Sequence, residues 1–275
     1  MGTRMNMPTP LSGLPMVTSP CLLMLVAGLA TIAAPAMAQD AERPDRFQFN
    51  ADLGHTRDSN YDREPENDPE HITTGTAGIR LNQTLSRQHF NARAAVTRDE
   101  FGEREELDTT TWSGGVGWQG NIGSKLRPYL SWNYRENLVD RAEFEGKDIL
   151  TDEVISGGVV YSLGPHWNIP VRARRLEQEH SNDSQTALDY IDDQASIGVL
   201  YTSDRYSSAG LNLIGGQREY PNQDRSRPND IPQGDDLDYD YTTVEFETNW
   251  IVSPKTQLEG RLGFFDRDGE ANDGA

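Results

Sequence analysis

The sequence predicts an all-β fold, an antiparallel up-and-down transmembrane β-barrel of which about eleven strands are present. Three observations support this prediction. From residue 47 onward apolar and polar residues alternate, the connections between the alternating segments are short and long in turn, and aromatic residues concentrate at the ends of the apolar segments. No segment longer than one turn shows the 3.6-residue period of an amphipathic helix.

The alternation has a period of two residues, which places successive side chains on opposite faces of a strand. In the first segment Phe47, Phe49, Ala51 and Leu53 are separated by single polar residues. Eleven segments of this kind follow one another up to about residue 265. Each strand is therefore expected to have one apolar and one polar face, as in a barrel with lipid outside and water inside.

The connections alternate strictly in length. The short ones fall at residues 86–88, 120–125, 164–166, 203–205 and 252–256, and the long polar ones at 58–70, 99–108, 137–150, 178–189 and 220–238. Outer-membrane barrels have tight periplasmic turns and longer extracellular loops. A soluble β-sandwich also alternates apolar and polar residues, but its Greek-key crossovers give no reason for this regularity.

Aromatic residues lie near both ends of the apolar segments. Those close to a short turn are Trp118, Tyr161, Trp167, Tyr201 and Trp250, and those near the opposite end are Trp112, Tyr134 and Phe264. Tryptophan and tyrosine form two such girdles at the interfaces of a bilayer. A sandwich core would explain the number of aromatic residues but not their position.

Composition excludes two other classes of protein. The mean hydropathy of -0.71 rules out several apolar helical spans. The net charge of -19, from 25 Lys and Arg against 44 Asp and Glu, opposes binding to nucleic acid, so we expect no nucleic-acid partner.

The first 38 residues are predicted to be a cleaved signal peptide. An apolar run from Cys21 to Ala34 ends at Pro35, and Ala36-Met37-Ala38 follows as a small-residue cleavage site. The alternative is an uncleaved anchor, but a run of fourteen residues is short for a span of about 20. Residues 39–46 are then a periplasmic N-terminal segment, and 47–275 form the barrel domain.

We expect the barrel domain to be incomplete at its C-terminus. Eleven strands are an odd number, whereas bacterial single-chain barrels close with an even number. The last residues, 270–275, have the composition of the start of another long loop.

Several short motifs occur in order along residues 47–265: Ser59-Asn60-Tyr61 with Arg63, Ile72-Thr73-Thr74, Ala77 to Leu81, Leu85-Ser86-Arg87-Gln88, Leu107-Asp108, Trp118, Ile149-Leu150-Thr151, Gly198 to Tyr201 and Tyr220-Pro221-Asn222. In these motifs the chain resembles the EpsL-like outer-membrane β-barrel proteins associated with exopolysaccharide biosynthesis. The resemblance implies a porin-like channel or export partner in extracellular polysaccharide export, with outer-membrane lipid, an anionic exopolysaccharide and polysaccharide-export proteins as partners. A general diffusion porin is the alternative.

The face opposite the apolar one would line the lumen, and its charges are the candidate substrate-binding residues: Arg80, Arg93, Arg127, Arg135, Arg172, Arg174, Glu245, Glu247, Glu259 and Arg261. Rings of arginine favour anions in pores, so this set predicts a lumen suited to an acidic saccharide. The alternative is that these arginines pair with the glutamates across a plugged interior.

No catalytic, metal or cofactor site is predicted. The acidic loops lack the twelve-residue spacing of a calcium loop, which favours a solvated surface. Neither an HExxH nor a GxSxG motif occurs. A barrel hydrolase, the less favoured alternative, would rely on His55 or His180, to which no serine can be assigned as a partner.

Overall fold

The structure is a computed structural model that describes residues 46–61, 69–139, 146–223, 237–253 and 255–269. These residues belong to the second of two units of the chain, Asp45–Ala275. The predicted signal peptide, most of the segment 39–46 and the last residues 270–275 lie outside the described residues.

Eleven strands make up the described part of the chain. They are β1 (Phe47–Asp58), β2 (Glu70–Leu85), β3 (Gln88–Phe101), β4 (Thr109–Gly120), β5 (Leu126–Leu138), β6 (Ile149–Ser162), β7 (Trp167–His180), β8 (Tyr190–Thr202), β9 (Ser208–Glu219), β10 (Tyr239–Ser253) and β11 (Thr256–Asp268). Two single-turn 3₁₀ helices, Glu105–Leu107 and Thr186–Leu188, interrupt two of the long connections. Within the described ranges no helix is long and apolar enough to cross a bilayer.

All eleven strands form one sheet in which spatial order equals sequence order. Every neighbouring pair is antiparallel. The predicted all-β, up-and-down class and the number of strands are therefore confirmed. In the described residues β1 hydrogen-bonds to β2 alone and β11 to β10 alone.

The connections also follow the predicted alternation. The short ones join β2 to β3, β4 to β5, β6 to β7, β8 to β9 and β10 to β11, and the long ones join the other neighbours. Two of the short turns contain a non-glycine residue with positive φ, Ser86 at 55° and Tyr206 at 62°. We refer to the two ends of the sheet as the turn end and the long-loop end.

The register keeps the apolar side chains on one face across all eleven strands. Phe90 pairs with Trp118, and Val159 pairs with Val171. This apolar face is exposed: Leu53 retains 83% of its accessible surface and Leu262 retains 75%. Such an extended apolar surface requires an apolar partner, because water disfavours contiguous apolar patches of this size.

The hydrophobic residues that are buried within the described part lie elsewhere, at the long-loop end: Phe101, Leu107 and Tyr190. The strands extend several residues beyond the apolar segments toward these loops, where polar residues occupy both faces. On the same side of the sheet as the apolar face, for example, Arg175 pairs with Asp193 just beyond Ala173 and Ala195. This end of the sheet is thus held by polar contacts.

Candidate functional site

The polar face of the sheet carries all ten charged residues predicted to line the lumen. The register fixes this placement, since Arg80 lies opposite Arg93 and Glu247 lies opposite Arg261. The ten are Arg80, Arg93, Arg127, Arg135, Arg172, Arg174, Glu245, Glu247, Glu259 and Arg261. Their proposed role in binding remains a prediction.

Within this set of ten, the two signs of charge lie mostly on different strands. Six of the arginines lie on β2, β3, β5 and β7, and we call this group of six residues the basic arc. The three glutamates lie on β10 and β11 together with Arg261. The sequence predicted a mostly basic lumen, and the strand order adds this division into a basic and an acidic region.

Most arginines of the basic arc form no ion pair with a carboxylate in the described ranges. The Nη2 atom of Arg93 donates to Asn133 Oδ1 at 2.8 Å, and Arg127 Nη2 donates to Asn168 Oδ1 at 2.9 Å. Within the described residues, Arg172 forms no ion pair or hydrogen bond. Guanidinium groups in contact with neutral partners keep their charge available to an anion.

The alternative of arginine–glutamate pairing is seen once within the predicted set. Arg261 Nε lies 3.3 Å from Glu245 Oε2 on the neighbouring strand. Arg174 makes a longer contact, with its Nη1 atom 3.9 Å from Asp192 Oδ1. Pairing therefore affects the acidic region and one end of the basic arc.

Long side chains lie across glycines on the polar face. The register pairs that do so are Asn50 with Gly78, Asn91 with Gly117, Asn133 with Gly115, Tyr129 with Gly158, Asn212 with Gly198 and Tyr241 with Gly216. A Cβ added at Gly216 would lie 2.5 Å from Tyr241 Cζ. These glycines allow the opposing side chains to lie flat on the sheet, which clears the space in front of it.

A cluster at the long-loop end of the polar face was missed by the sequence analysis. We call it the arginine–aromatic cluster, and it consists of Tyr190, Asp192, Arg218, Tyr239, Tyr241, Phe265 and Arg267. The sequence signal that could have found it is the Tyr-x-Tyr spacing at 239 and 241 together with the Phe-x-Arg spacing at 265 and 267 in the next strand. These residues lie outside the apolar alternation, which begins only at Val244 on β10 and ends at Phe264 on β11.

Asp192 is the centre of this cluster. It is 3% exposed and accepts hydrogen bonds from Arg218 Nε at 3.0 Å and Arg218 Nη2 at 2.8 Å. The hydroxyl of Tyr241 donates to its other oxygen at 3.1 Å. The Arg218 guanidinium also lies 4.3 Å from the ring centroid of Tyr190. A buried carboxylate with this many donors is rigidly positioned.

A second buried carboxylate, Glu70, holds the loop between β3 and β4. Its Oε1 atom accepts the backbone N–H groups of His71, Gly102 and Glu103, and its Oε2 atom lies 2.9 Å from Arg104 Nη1. Glu70 lies at the extreme long-loop end of β2, outside the apolar segment. Burial alone would raise the pKa of this carboxyl, but the hydrogen bonds outweigh it and lower the pKa.

We expect Glu70→Gln to loosen this loop. The variant removes the charge that Arg104 and three N–H groups bind, and a lost buried hydrogen bond costs about 1 kcal/mol or more. Amide exchange of residues 102–104 should therefore accelerate at least about fivefold, as measured by mass spectrometry. Glu100→Gln, at an exposed carboxylate, is the control, and equal acceleration in both variants would contradict the prediction.

The same contact should depend on pH. Because the folded pKa is lowered, the stabilisation is complete above the ordinary value of 4.5 and is lost as the pH falls through the folded pKa. Protection of residues 102–104 should therefore stay constant down to about pH 4.5 and decline below it.

The two histidines of the hydrolase alternative lie on different faces. His55 is on the apolar-face side of β1 and stacks on His71 with ring centroids 5.5 Å apart. His180 is on the polar face, and its Nδ1 atom lies 2.6 Å from the buried Asp148. In the part of the chain that the structure describes, no serine or threonine hydroxyl hydrogen-bonds His180, whereas His55 Nδ1 lies 3.2 Å from Thr73 Oγ1.

Metal ligands are not grouped in the described residues. No set of three or more His, Cys, Asp or Glu there could hold a metal ion. The acidic loop residues at 62–68 and 235–236 lie outside the described residues.

Comparisons with known proteins give little further information. No protein-family model matches the chain, and no curated protein sequence matches it. One similar solved structure is the β domain of the Bordetella autotransporter BrkA, which is 9% identical, with a TM-score of 0.31 over 81% of this chain and 91% of that domain. The fold assignment therefore rests on the strand order and register, and the EpsL-like resemblance remains a prediction.

Proposed function

We propose that this protein is an outer-membrane β-barrel that serves exopolysaccharide export as a porin-like channel or export partner. The observation that carries the proposal is the two-sided sheet. An exposed apolar face runs across every strand, and the opposite face carries the basic arc. A bilayer covers an apolar face of this kind, and arginines on the other face attract anions.

The height of the apolar face supports a bilayer as its partner. On β5 it extends from Leu126 to Tyr134. Eight residue steps correspond to about 27 Å of strand, which at the usual barrel tilt of about 40° gives a height of about 20 Å, close to the apolar band of about 25 Å in outer-membrane barrels. Aromatic residues lie at its turn end, where Trp167 and Tyr201 have ring centroids 5.1 Å apart.

The chemistry of the polar face supports an acidic saccharide as the transported or bound molecule. Uncompensated guanidinium groups bind carboxylates, and neutral side chains lie flat between them. We propose a non-enzymatic role without cofactor or metal, with outer-membrane lipid and polysaccharide-export proteins as partners.

Single-channel recording in a planar bilayer tests this function. The mature protein, expressed from its whole open reading frame, should conduct, and hexagalacturonate should block the current more strongly than neutral maltohexaose. Arg172→Gln should weaken the block by up to about fivefold, since an exposed charge pair contributes up to about 1 kcal/mol. Arg175 lies on the same side of the sheet as the apolar face and pairs with Asp193, so Arg175→Gln should leave the block unchanged. Conductance without block by the acidic sugar would instead favour a general diffusion porin.

A further inference from the structure

An aromatic platform on the polar face lies beside a guanidinium that pairs with no carboxylate of the described residues. Phe265 is 56% exposed on β11 although its face of the sheet is the polar one. Its ring stacks on Tyr241 with centroids 5.9 Å apart and an interplanar angle of 29°. Within the described residues β11 has a neighbour on one side only and is exposed along nearly its whole length, so this phenyl ring is accessible to a ligand from the polar face.

Tyr241 cannot easily turn away from this position. Its hydroxyl is bound to Asp192, and its ring lies over Gly216, where a Cβ would approach to 2.5 Å. The platform on which Phe265 rests is thus fixed by the buried carboxylate and by a glycine. A preformed surface binds a rigid ligand with a smaller loss of entropy.

Arg267 is the second component. Its guanidinium carbon lies 3.8 Å from the ring centroid of Tyr239. Its Nε atom is buried without a hydrogen-bond acceptor, and in the described part of the chain no carboxylate pairs with this side chain. Arg218, by contrast, is neutralised by Asp192. Arg267 therefore keeps its positive charge while its ring contact orients it.

The spacing of the two components suits a sugar acid. Phe265 and Arg267 are two residues apart on one strand face, which separates them by about 7 Å. A pyranose ring can stack its C–H face on the phenyl ring while its carboxylate reaches the guanidinium as a charge-assisted pair. Neither component alone would select this ligand, because the ring contacts any sugar and the charge contacts any anion.

We infer that Phe265 and Arg267 form a binding subsite for a uronic-acid unit of a saccharide at the long-loop end of the polar face. The subsite deepens the proposed function, on which it rests for its ligand class. Its test needs only binding to the folded protein and no conducting pore.

Isothermal titration of the full chain in detergent micelles with hexagalacturonate tests the subsite. Arg267→Gln should weaken binding about tenfold, and Phe265→Leu should weaken it about fivefold. The matched control is Phe264→Leu, the neighbouring phenylalanine on the apolar face, which should change the affinity by less than about twofold. Maltohexaose, which has rings but no charge, should bind at least about tenfold more weakly than the acid.

Three results would overturn the inference: no binding of hexagalacturonate, equal effects of Phe264→Leu and Phe265→Leu, or equal binding of maltohexaose. Binding with the expected variant pattern in a protein that does not conduct would support the subsite and contradict the channel. Conductance and block without variant effects at these two positions would support the channel and contradict the subsite.

Discussion

Ala94→Arg is expected to destabilise the protein in a bilayer by about 2–4 kcal/mol, the cost of an arginine on the lipid face near the midplane of a barrel. Ala94 lies on the apolar face of β3, opposite Ile79 and Gly114 and two residues from Val96. An arginine there would bring a guanidinium into hydrocarbon, where it finds no water. The measurement is urea unfolding in phospholipid vesicles, in which the midpoint should fall.

The neighbouring residue supplies the control. Ala95 is also an alanine, but it lies on the polar face, opposite Gly78 and Ser113. Ala95→Arg places the same charge in water, so it should change the free energy of unfolding by less than about 1 kcal/mol. If both variants were equally destabilised, the apolar face would not contact lipid, and a soluble β-sandwich would again be favoured.

Arg218→Met is expected to destabilise the folded protein by about 3–5 kcal/mol, because it leaves a buried carboxylate without its counterion. Asp192 would keep only the Tyr241 hydroxyl and the contact with Arg174 at 3.9 Å. Methionine retains the unbranched apolar stem, so the loss reflects the charge more than the volume. The free energy of unfolding from urea titration in detergent micelles measures the effect.

A second arginine–aspartate pair tests whether the loss of stability comes from the burial of the carboxylate or from the loss of an ion pair alone. Arg175 and Asp193 are 3.0 Å apart, a similar separation, but their side chains are 48% and 37% exposed. Arg175→Met should therefore cost less than about 1 kcal/mol, because water solvates the remaining carboxylate. Similar losses in the two variants would show that burial of Asp192 contributes little to the stability of the long-loop end.

The sequence predicted the strands because period-two alternation persists wherever one face of a strand is apolar. It located the short turns by the polar and glycine residues between the apolar segments, and it assigned all ten charged residues to one face. A side chain's face depends only on its parity along the strand, so Arg80 and Glu247 could be placed without knowing which strands are neighbours.

The sequence did not reveal where the strands end toward the long loops. Beyond Leu53, for example, β1 continues to Asp58 with polar residues on both faces. Alternation of hydrophobicity disappears there, and pairing is supported instead by contacts between strands, such as Thr76 with Thr97 at 3.0 Å. Such contacts join residues distant in sequence, so no local pattern predicts them.

By itself, the sequence determined the class of fold, the order of turns and loops, and the face on which each charge lies, because these follow from local alternation. Only the tertiary structure decided which charges meet. It separated the basic arc from the glutamates of β10 and β11, buried Asp192 against Arg218, and placed Arg267 beside Phe265 with no carboxylate partner among the described residues. The physical reason is that burial and electrostatic pairing depend on register between strands, which brings together residues far apart along the chain.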